Sequence, residues 1–343
     1  LKKAINRIRK FAKKQLHKSW SYKDKSSTLG EKVTAIDSVG VYVPGGKASY
    51  PSTVMMNVIP ARVAGVRKIY MSCPIDDIKN HSLAIVAADL CKVDSIFKMG
   101  GAHSIAALAY GTPTIPKVDK IVGPGNLFVS TAKKFVFGDV GIDNIAGPSE
   151  IVIVADKKNN PDMIAIDLFS QAEHDELAQP ILISKSHLLI ESVFNSMKKL
   201  LPRMSRKKII MESIKNRGLF IKTNSDSETA NIVNTIAPEH LELMYHDKKF
   251  LKQIRNAGAI FLGENSPEVF GDYCAGPNHV LPTSGSARFS SGLSVSDFLK
   301  RHSLIKITKT GIERLSASVI NLAQHENLEG HAKSVKIRLK KGN

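Results

Sequence analysis

The chain has 343 residues, 43% hydrophobic and 23% charged, a composition typical of a globular protein large enough for two domains. No apolar run approaches the roughly 20 residues that span a bilayer, and the basic N-terminus lacks the apolar core of a secretory signal. The formal charge of +18 is spread along the chain with few aromatic residues among its basic clusters, which argues against nucleic-acid and membrane partners and favours an anionic cofactor.

The three cysteines, Cys73, Cys91 and Cys274, have spacings that fit neither a disulfide framework nor a zinc ribbon. We therefore expect a protein of the reducing cytoplasm. The chain begins with Leu1 instead of methionine, so we expect either a fragment or a start codon that was translated literally.

The first forty residues predict a helix rich in lysine and arginine, followed by a polar stretch around residues 26–30. From Val39 onward, short apolar runs alternate with helical patterns, which is typical of βαβ units and a largely parallel sheet. In this first half we expect strands at residues 68–71, 95–99 and 120–122, and helices at residues 54–65, 78–91, 105–110 and 128–137.

After Pro148 the alternation begins again, so two α/β halves of comparable length are expected. In the second half we expect strands at residues 151–155, 181–184, 219–222 and 259–262, with helices between them, the first at residues 162–171. The pattern from Ser294 onward is helical and amphipathic. We expect this tail to pack on another surface or on a partner subunit.

Glycine-rich turns recur where strands of the first half should end, at residues 43–46, 100–103 and 123–126. Glycine lets the backbone approach a phosphate, and the helix after each turn offers free N–H groups. None of the turns is a complete G-x-G-x-x-G motif, and no acidic residue is clearly placed to bind a ribose. A tight strand-to-helix turn explains each of them about as well.

Residues 171–174, Gln-Ala-Glu-His, end a helical pattern that opens with Asn160 as an N-cap candidate and Pro161 at the first helical position. Gln171 continues the apolar stripe of this helix, so a polar amide is aimed inward. His174 shares its face, and the imidazole and the amide oxygen can converge on a metal or a polar ligand. A satisfied polar cluster at the helix end is an equally good interpretation of this segment alone.

The segment at residues 237–240, Ala-Pro-Glu-His, places a carboxylate beside an imidazole. Pro238 disfavours helix at the residue before it, so we expect Glu239 and His240 on a loop or an early strand. Two proton acceptors of different pKa suit general acid/base chemistry. In isolation, however, such a pair is more often an exposed surface feature.

Other polar residues lie among small ones: Ser149 at the junction of the two halves, Asp272 on a glycine-flanked loop and His331 in the C-terminal tail. Asp272 and His331 are the kind of partners that Gln171 and His174 lack. Together these four would form a mixed nitrogen and oxygen ligand set, which is acceptable to zinc and reasonable for manganese or cobalt.

These segments, in this order, resemble the histidinol dehydrogenase family. The resemblance runs from about Val39 to about Leu339 and includes GVYVPGG, GGAHSIAALAYGT, VDKIVGPGN, AGPSEI, SQAEHD, APEHLELM, AGAIFLG, PNHVLPT and HENLEGHAKSV. It implies oxidation of L-histidinol to L-histidine through the aldehyde, with two NAD+, in the last steps of histidine biosynthesis. It also implies a zinc-dependent homodimer in which each active site borrows residues from the partner's C-terminal tail.

The resemblance implies an α/β fold with two Rossmann-like parallel-sheet domains and a small helical C-terminal tail domain. The predicted segments are 1–40, a shortened N-terminal helical segment; 41–149, a Rossmann-like domain on the cofactor side; 150–293, a second Rossmann-like domain on the metal and catalytic side; and 294–343, a helical tail that makes the intersubunit contact. The family usually has a longer N-terminal region than the roughly forty residues that precede the first shared motif here.

The resemblance also assigns ligands. The residues that it implies bind zinc are Gln171, His174, Asp272 and His331. The residues that it implies surround the substrate are these four together with Ser149, His240 and Glu326. Of these, Glu326 is expected to pair with the ammonium group or the ring of the substrate.

Catalytic and cofactor roles follow from the same resemblance. His240 corresponds to the base that takes the alcohol proton as hydride leaves for NAD+, and Glu239 to the carboxylate that activates water on the bound aldehyde. Tyr42 and Asn126 correspond to cofactor contacts. His103 stands where glutamine is expected among these contacts, which keeps a hydrogen-bond donor but changes its geometry.

Two other functions stay open from the residues themselves. One is a related zinc and NAD dehydrogenase of another small alcohol, and the other is a non-catalytic basic binding protein that kept the fold. Ser149 and Glu326 favour a substrate with an imidazole and an amine, and the presence of Glu239 and His240 favours an enzyme.

Overall fold

The computed structural model describes residues 1–45, 50–245 and 247–340, without the side chain of Lys340. Gly46, in the first glycine turn, and residues 341–343 of the predicted tail lie outside the described residues. The chain forms two compact units. The first comprises Leu1–Gln15 and Ile36–Phe298, and the second Leu16–Ala35 and Leu299–Asn343.

Helices and strands are numbered in chain order. The helices are α1 (Lys2–Lys14), α2 (Pro51–Ala64), α3 (Ser82–Leu90), α4 (Gly101–Tyr110), α5 (Leu127–Val136), α6 (Pro161–Ala172), α7 (His187–Leu200), α8 (Lys207–Arg217), α9 (Asp226–Ile236), α10 (Lys248–Leu251), α11 (Val269–Tyr273), α12 (Lys309–His325) and α13 (Glu329–Lys340). The strands are β1 (Trp20–Lys23), β2 (Ser27–Ala35), β3 (Ser38–Tyr42), β4 (Lys68–Ser72), β5 (Ser95–Phe97), β6 (Lys120–Val122), β7 (Gly141–Ile142), β8 (Glu150–Ala155), β9 (Gln179–Ser184), β10 (Leu219–Lys222), β11 (His240–Leu243), β12 (Ala259–Leu262) and β13 (Leu299–Ile307). Short 3-10 turns lie at Leu201–Arg203, Ser286–Arg288 and Val295–Phe298.

The first unit contains two parallel five-stranded sheets with the same strand order. The first sheet runs β5-β4-β3-β6-β7 and the second β10-β9-β8-β11-β12. In each sheet the order reverses beside the first strand, between β3 and β6 and between β8 and β11. The predicted parallel α/β architecture is therefore confirmed, and each sheet has one switch point at which a ligand can enter.

The central strands have continuous apolar sequences because both of their faces are buried. Every residue of β8 is buried, and its β-branched residues suit a parallel strand that is covered by helices on both faces. The helix after it, α6, begins as predicted: the Asn160 side chain accepts a hydrogen bond from the N–H of Asp162, and Pro161 is the first helical residue. These signals are local, which is why the sequence alone specified them.

The connection between the sheets joins opposite edges. The chain leaves the carboxyl end of β7 at Ile142 and enters the amino end of β8 at Glu150, through residues 143–149. Since all strands within a sheet are parallel, the carboxyl edge of the first sheet leads directly to the amino edge of the second. The predicted site residues of the first unit cluster along these two edges.

The second unit has an antiparallel sheet, in the order β1-β2-β13, and two helices, α12 and α13, that pack against each other. Two expectations are wrong here. Residues 20–35 are not part of a helical segment but form strands, and the tail from Ser294 is not helical throughout, because residues 299–307 pair with β2 along its whole length. Strand pairing between distant residues overrides a local pattern. None of the described helices is long and apolar enough to cross a membrane.

Candidate active site

His240 and Glu239 lie at the amino edge of the second sheet. His240 is the first residue of β11, which is hydrogen-bonded between β8 and β12, and the two side chains belong to residues only 4% and 7% exposed. Ala237, in the left-handed conformation with φ of 49°, ends α9 and turns the chain into this strand. The prediction of an early strand is confirmed for His240. The Glu239–His240 pair is buried and is not an exposed surface feature.

Both side chains contact the backbone of Glu150. Its N–H donates to Oε2 of Glu239 at 3.0 Å, and its carbonyl oxygen lies 3.1 Å from Nδ1 of His240. A carbonyl can only accept, so Nδ1 carries the proton and Nε2 keeps its lone pair. Nε2 is buried and has no hydrogen-bond partner among the described residues. His240 is therefore held in the tautomer of a base.

Three further groups from the segment after β12 surround His240. Oδ1 of Asp272 lies 3.8 Å from Nε2 of His240 and 3.8 Å from Nδ1 of His279. His240, Glu268 and Asp272 each offer one ligand atom within 4.8 Å of the others, a spacing that fits one cation. Sequence reasoning did not select His279 or Glu268. His279 belongs to the PNHVLPT segment and Glu268 to none of the segments named above, and no local spacing relates either residue to His240.

Gln171 and His174 come from the carboxyl end of α6. Gln171 is 1% exposed and its Oε1 has no hydrogen-bond partner in the described chain, so the inward-facing amide is not a satisfied polar cluster. His174 lies just beyond the helix in a turn and is exposed. The carboxyl end of a helix carries partial negative charge, which favours a cation at this position.

Burial shifts the pKa of each group in this cluster toward its neutral form. Burial, together with a smaller effect of the nearby His174, lowers the pKa of His240 and of His279 to about 4. It raises the pKa of Glu239 well above its ordinary value and raises that of Asp272 to about 8. Several acids and imidazoles thus share a site without a counter-charge, which a bound cation would supply.

A row of buried acids ties the elements of the site together. Oε1 of Glu242, on β11, accepts from the N–H of Glu268 at 2.6 Å, and the Glu268 side chain accepts from the Ser170 hydroxyl at 2.8 Å. These contacts connect β11 to the start of α11 and to α6, the three elements that supply His240, Asp272 and Gln171. Burial raises the pKa of Glu242 to about 9 and of Asp167 to about 6.

A cavity of about 850 Å³ opens beside this cluster. His240, Asp272 and His279 line one end, and β12 with Phe270 forms an apolar wall. On the other side lies α1, whose Arg7 donates to the carbonyl oxygens of Cys274 and Ala275 at 2.6 and 3.0 Å. The cavity is large enough for a small polar substrate and leaves room for further groups.

The predicted cofactor residues lie at the carboxyl edge of the first sheet. Tyr42 ends β3 and is buried, and its hydroxyl accepts from the N–H of Gly101 at 3.2 Å. Oδ1 of Asn126 caps α5 by accepting from Val129 N at 3.1 Å, so only its amide NH2 is free for a ligand. His103 is exposed on the first turn of α4. Tyr42 and Asn126 lie at the switch point of this sheet. His103 lies just after the turn that leads from β5 into α4.

The remaining predicted residues are spread over both units. Ser149 is half-buried and directly precedes β8 and Glu150. Glu326, at the end of α12, and His331, on α13, are exposed residues of the second unit.

Comparison with known proteins gives the same family over the whole chain. The family model for histidinol dehydrogenase matches residues 1–339, including the N-terminal residues that precede Val39. The chain belongs to the histidinol dehydrogenase family.

The similarity to individual histidinol dehydrogenases is extensive. The chain is 53% identical to the enzyme of Nitrosomonas europaea over 98% of its own length and 79% of that protein, and 54% identical to that of Nitrosospira multiformis over 99% and 78%. The crystal structure of histidinol dehydrogenase from Elizabethkingia anophelis matches with a TM-score of 0.95 and 36% identity, covering 99% of this chain and 79% of that one. The chain is therefore an oxidoreductase of histidine biosynthesis that oxidises histidinol to histidine with NAD.

Proposed function

We propose that Gln171, His174 and Asp272 hold a zinc ion at the amino edge of the second sheet, with His331 as the fourth ligand. The observation that carries this proposal is the buried Oε1 of Gln171, which has no partner among the described residues. A mixed set of imidazole nitrogen and oxygen ligands suits zinc. When bound, zinc supplies positive charge that orients the imidazole, the amine and the hydroxyl of histidinol.

His240 serves as the base of the first oxidation. Its Nε2 lone pair accepts the hydroxyl proton while the carbinol carbon transfers hydride to NAD+, giving the aldehyde and NADH. The Glu150 carbonyl, 3.1 Å from Nδ1, keeps the ring in the tautomer that can accept this proton. Because burial lowers the pKa of His240, the ring is neutral at the start of each cycle.

Glu239 activates water in the second oxidation. Its carboxylate removes a proton from water as the water oxygen adds to the aldehyde carbon. The carbonyl oxygen takes the proton that His240 accepted in the first oxidation, which gives the hydrate and returns His240 to its neutral form. His240 then accepts a hydroxyl proton while hydride leaves for a second NAD+, and the product ionises to the carboxylate of histidine. Once ionised, Glu239 is a stronger base than an exposed glutamate, because burial raises the pKa of its carboxyl.

The remaining contacts are assigned by the same reasoning. NAD binds at the carboxyl edge of the first sheet, where it contacts Tyr42, His103 and the free amide NH2 of Asn126. Ser149 and Glu326 contact the substrate, with Glu326 pairing with its ammonium group or ring. We also place the reaction in the cytoplasm, since the three cysteines are free thiols.

We propose that the protein works as a homodimer, in which Glu326 and His331 of each active site belong to the partner subunit. Mixing two inactive variants tests this. If the sites are shared, a hybrid of His240→Asn and His331→Asn subunits has one intact site and one doubly damaged site. Random mixing should restore about a quarter of wild-type activity. Activity that stays at the level of the separate variants would place His240 and His331 of one site on the same subunit.

Metal content tests the zinc assignment directly. NADH formation from histidinol should be lost after treatment with a chelator and return on addition of zinc but not of magnesium, which prefers oxygen ligands. The unloaded protein should also bind one zinc ion per subunit in a titration. Full activity in thoroughly chelated protein would overturn the metal site while leaving the family assignment in place.

A further inference from the structure

A buried ion pair lies under the cofactor edge of the first sheet. Lys133, on α5, and Asp143, directly after β7, form this pair with side chains only 3% and 2% exposed. Both side chains hydrogen-bond to the backbone of one residue: Lys133 Nζ donates to the Gly123 carbonyl oxygen at 3.0 Å, and the Gly123 N–H donates to Asp143 Oδ2 at 2.7 Å. A buried ion pair is costly to desolvate and is weak evidence of added stability, so its position calls for another explanation.

Gly123 begins the turn that leads into α5. Gly123 has φ of 111°, and a Cβ placed on it would lie 2.1 Å from the Tyr42 carbonyl oxygen, so its backbone touches the end of β3. Three residues later, Asn126 caps α5. The pair therefore fixes the turn from β6 to α5, which carries Asn126 and contacts the end of β3 at Tyr42, the two residues assigned to NAD, at the switch point of the sheet.

We propose that the Lys133–Asp143 pair is a positioning device for the cofactor, a role that rests on the placement of NAD proposed above. It acts through Gly123 without touching NAD, since neither charged side chain reaches the surface. Loss of the pair should let the turn at residues 123–126 move, which weakens NAD binding. It should leave the chemistry at His240 unchanged once NAD+ is saturating.

The double variant Lys133→Met/Asp143→Asn tests this role, because it removes both charges and still leaves a side-chain carbonyl for the Gly123 N–H. The dissociation constant of NADH, measured by fluorescence titration without histidinol, should rise about tenfold. The KM for NAD+ should rise by a similar factor. The kcat and the KM for histidinol should stay within about twofold of wild type. Lys120→Met is the matched control: Lys120 Nζ also bonds a backbone carbonyl and a carboxylate, both of Asp297, but at the opposite end of β6.

Wild-type NADH affinity in a folded double variant would overturn the proposal. If the double variant does not fold, the single variants Lys133→Arg and Asp143→Glu are tested in its place. Each keeps its charge but shifts the group that hydrogen-bonds to Gly123. We expect NADH binding to weaken about threefold or more in these variants. Wild-type affinity in both, or failure of every variant to fold, would make the pair purely structural. Asn126→Ala separates the two proposals: unchanged NADH binding there would mean that the cofactor placement itself is wrong.

Discussion

The two sheets of the first unit share one strand order, but the residues that we assign to the cofactor and to catalysis lie at opposite edges. In the first sheet, Tyr42 and the Gly123 turn lie at the carboxyl ends of β3 and β6. In the second, Glu150 and His240 lie at the amino ends of β8 and β11. With these assignments, the rule that ligands bind at carboxyl ends would describe only the first sheet. The short connection through residues 143–149 explains the difference, because it joins these two edges directly.

The edges also differ in how their polar groups are satisfied. At the cofactor edge the Tyr42 hydroxyl, the Asn126 carbonyl oxygen and the Lys133–Asp143 pair all have partners. At the catalytic edge, Oε1 of Gln171 and Nε2 of His240 have none in the described residues. A cofactor can be recognised by a rigid backbone shape, whereas proton transfer and metal binding need groups whose lone pairs are free. Substitutions at four positions test this contrast.

The largest effect is expected at the catalytic edge. His240→Asn should lower kcat by about 10²- to 10⁴-fold, because the amide cannot accept the hydroxyl proton. Zinc content and NADH affinity should stay unchanged, as measured by metal analysis and fluorescence titration. His187→Asn, at an exposed position on α7, is the control and should retain full activity. Loss of zinc in the His240 variant would instead assign this ring to the metal.

Loss of a ligand should separate metal binding from proton transfer. His174→Asn should weaken zinc binding about 10- to 100-fold or more and abolish activity at stoichiometric zinc. Activity should return in part with excess zinc, which cannot rescue His240→Asn. Metal titration and NADH formation measure the two effects. A His174 variant with wild-type zinc affinity would remove this residue from the ligand set.

At the cofactor edge, Asn126 combines a structural and a binding role that two variants distinguish. Asn126→Asp keeps the oxygen that caps α5 but loses the amide donor, so the KM for NAD+ should rise about tenfold while thermal stability is retained. Asn126→Ala should show the same loss of affinity and, in addition, lower the free energy of unfolding by about 1 kcal/mol. Equal NAD+ kinetics in Asn126→Asp and wild type would limit Asn126 to its capping role.

The smallest effect is expected on stability. Burial raises the pKa of Glu242 from 4.5 to about 9, so the folded state holds a proton that the unfolded state releases between these pH values. The stability that this group contributes is therefore complete below pH 4.5 and is lost as pH rises toward 9. Glu242→Gln, which keeps an oxygen for the Glu268 N–H, should be more stable than wild type by roughly 1 to 3 kcal/mol at pH 8 and by little at pH 5. Equal pH profiles of chemical denaturation for metal-free wild type and variant would contradict this explanation.

Features that depend on neighbouring residues are predictable from the sequence, whereas features that depend on residues far apart in the chain are not. The start of α6 at Asn160 and Pro161 was predicted because a cap depends on adjacent residues. The strand at residues 299–307 was missed because it is stabilised by pairing with β2, which lies far away in the chain. His279 and Glu268 were missed for the same reason, since only folding brings them to the same aspartate or ligand cluster.

The sequence alone determined the family and the parallel α/β pattern, and it supplied the residues of the proposed metal and acid/base site, because motifs and hydrophobic periodicity depend on residues close together in the chain. Only the tertiary structure decided which atoms are available for chemistry. It showed that the Glu150 peptide fixes the tautomer of His240, and that Gln171 is buried with a free oxygen. These properties depend on burial and on contacts between residues distant in the chain, which no local pattern contains.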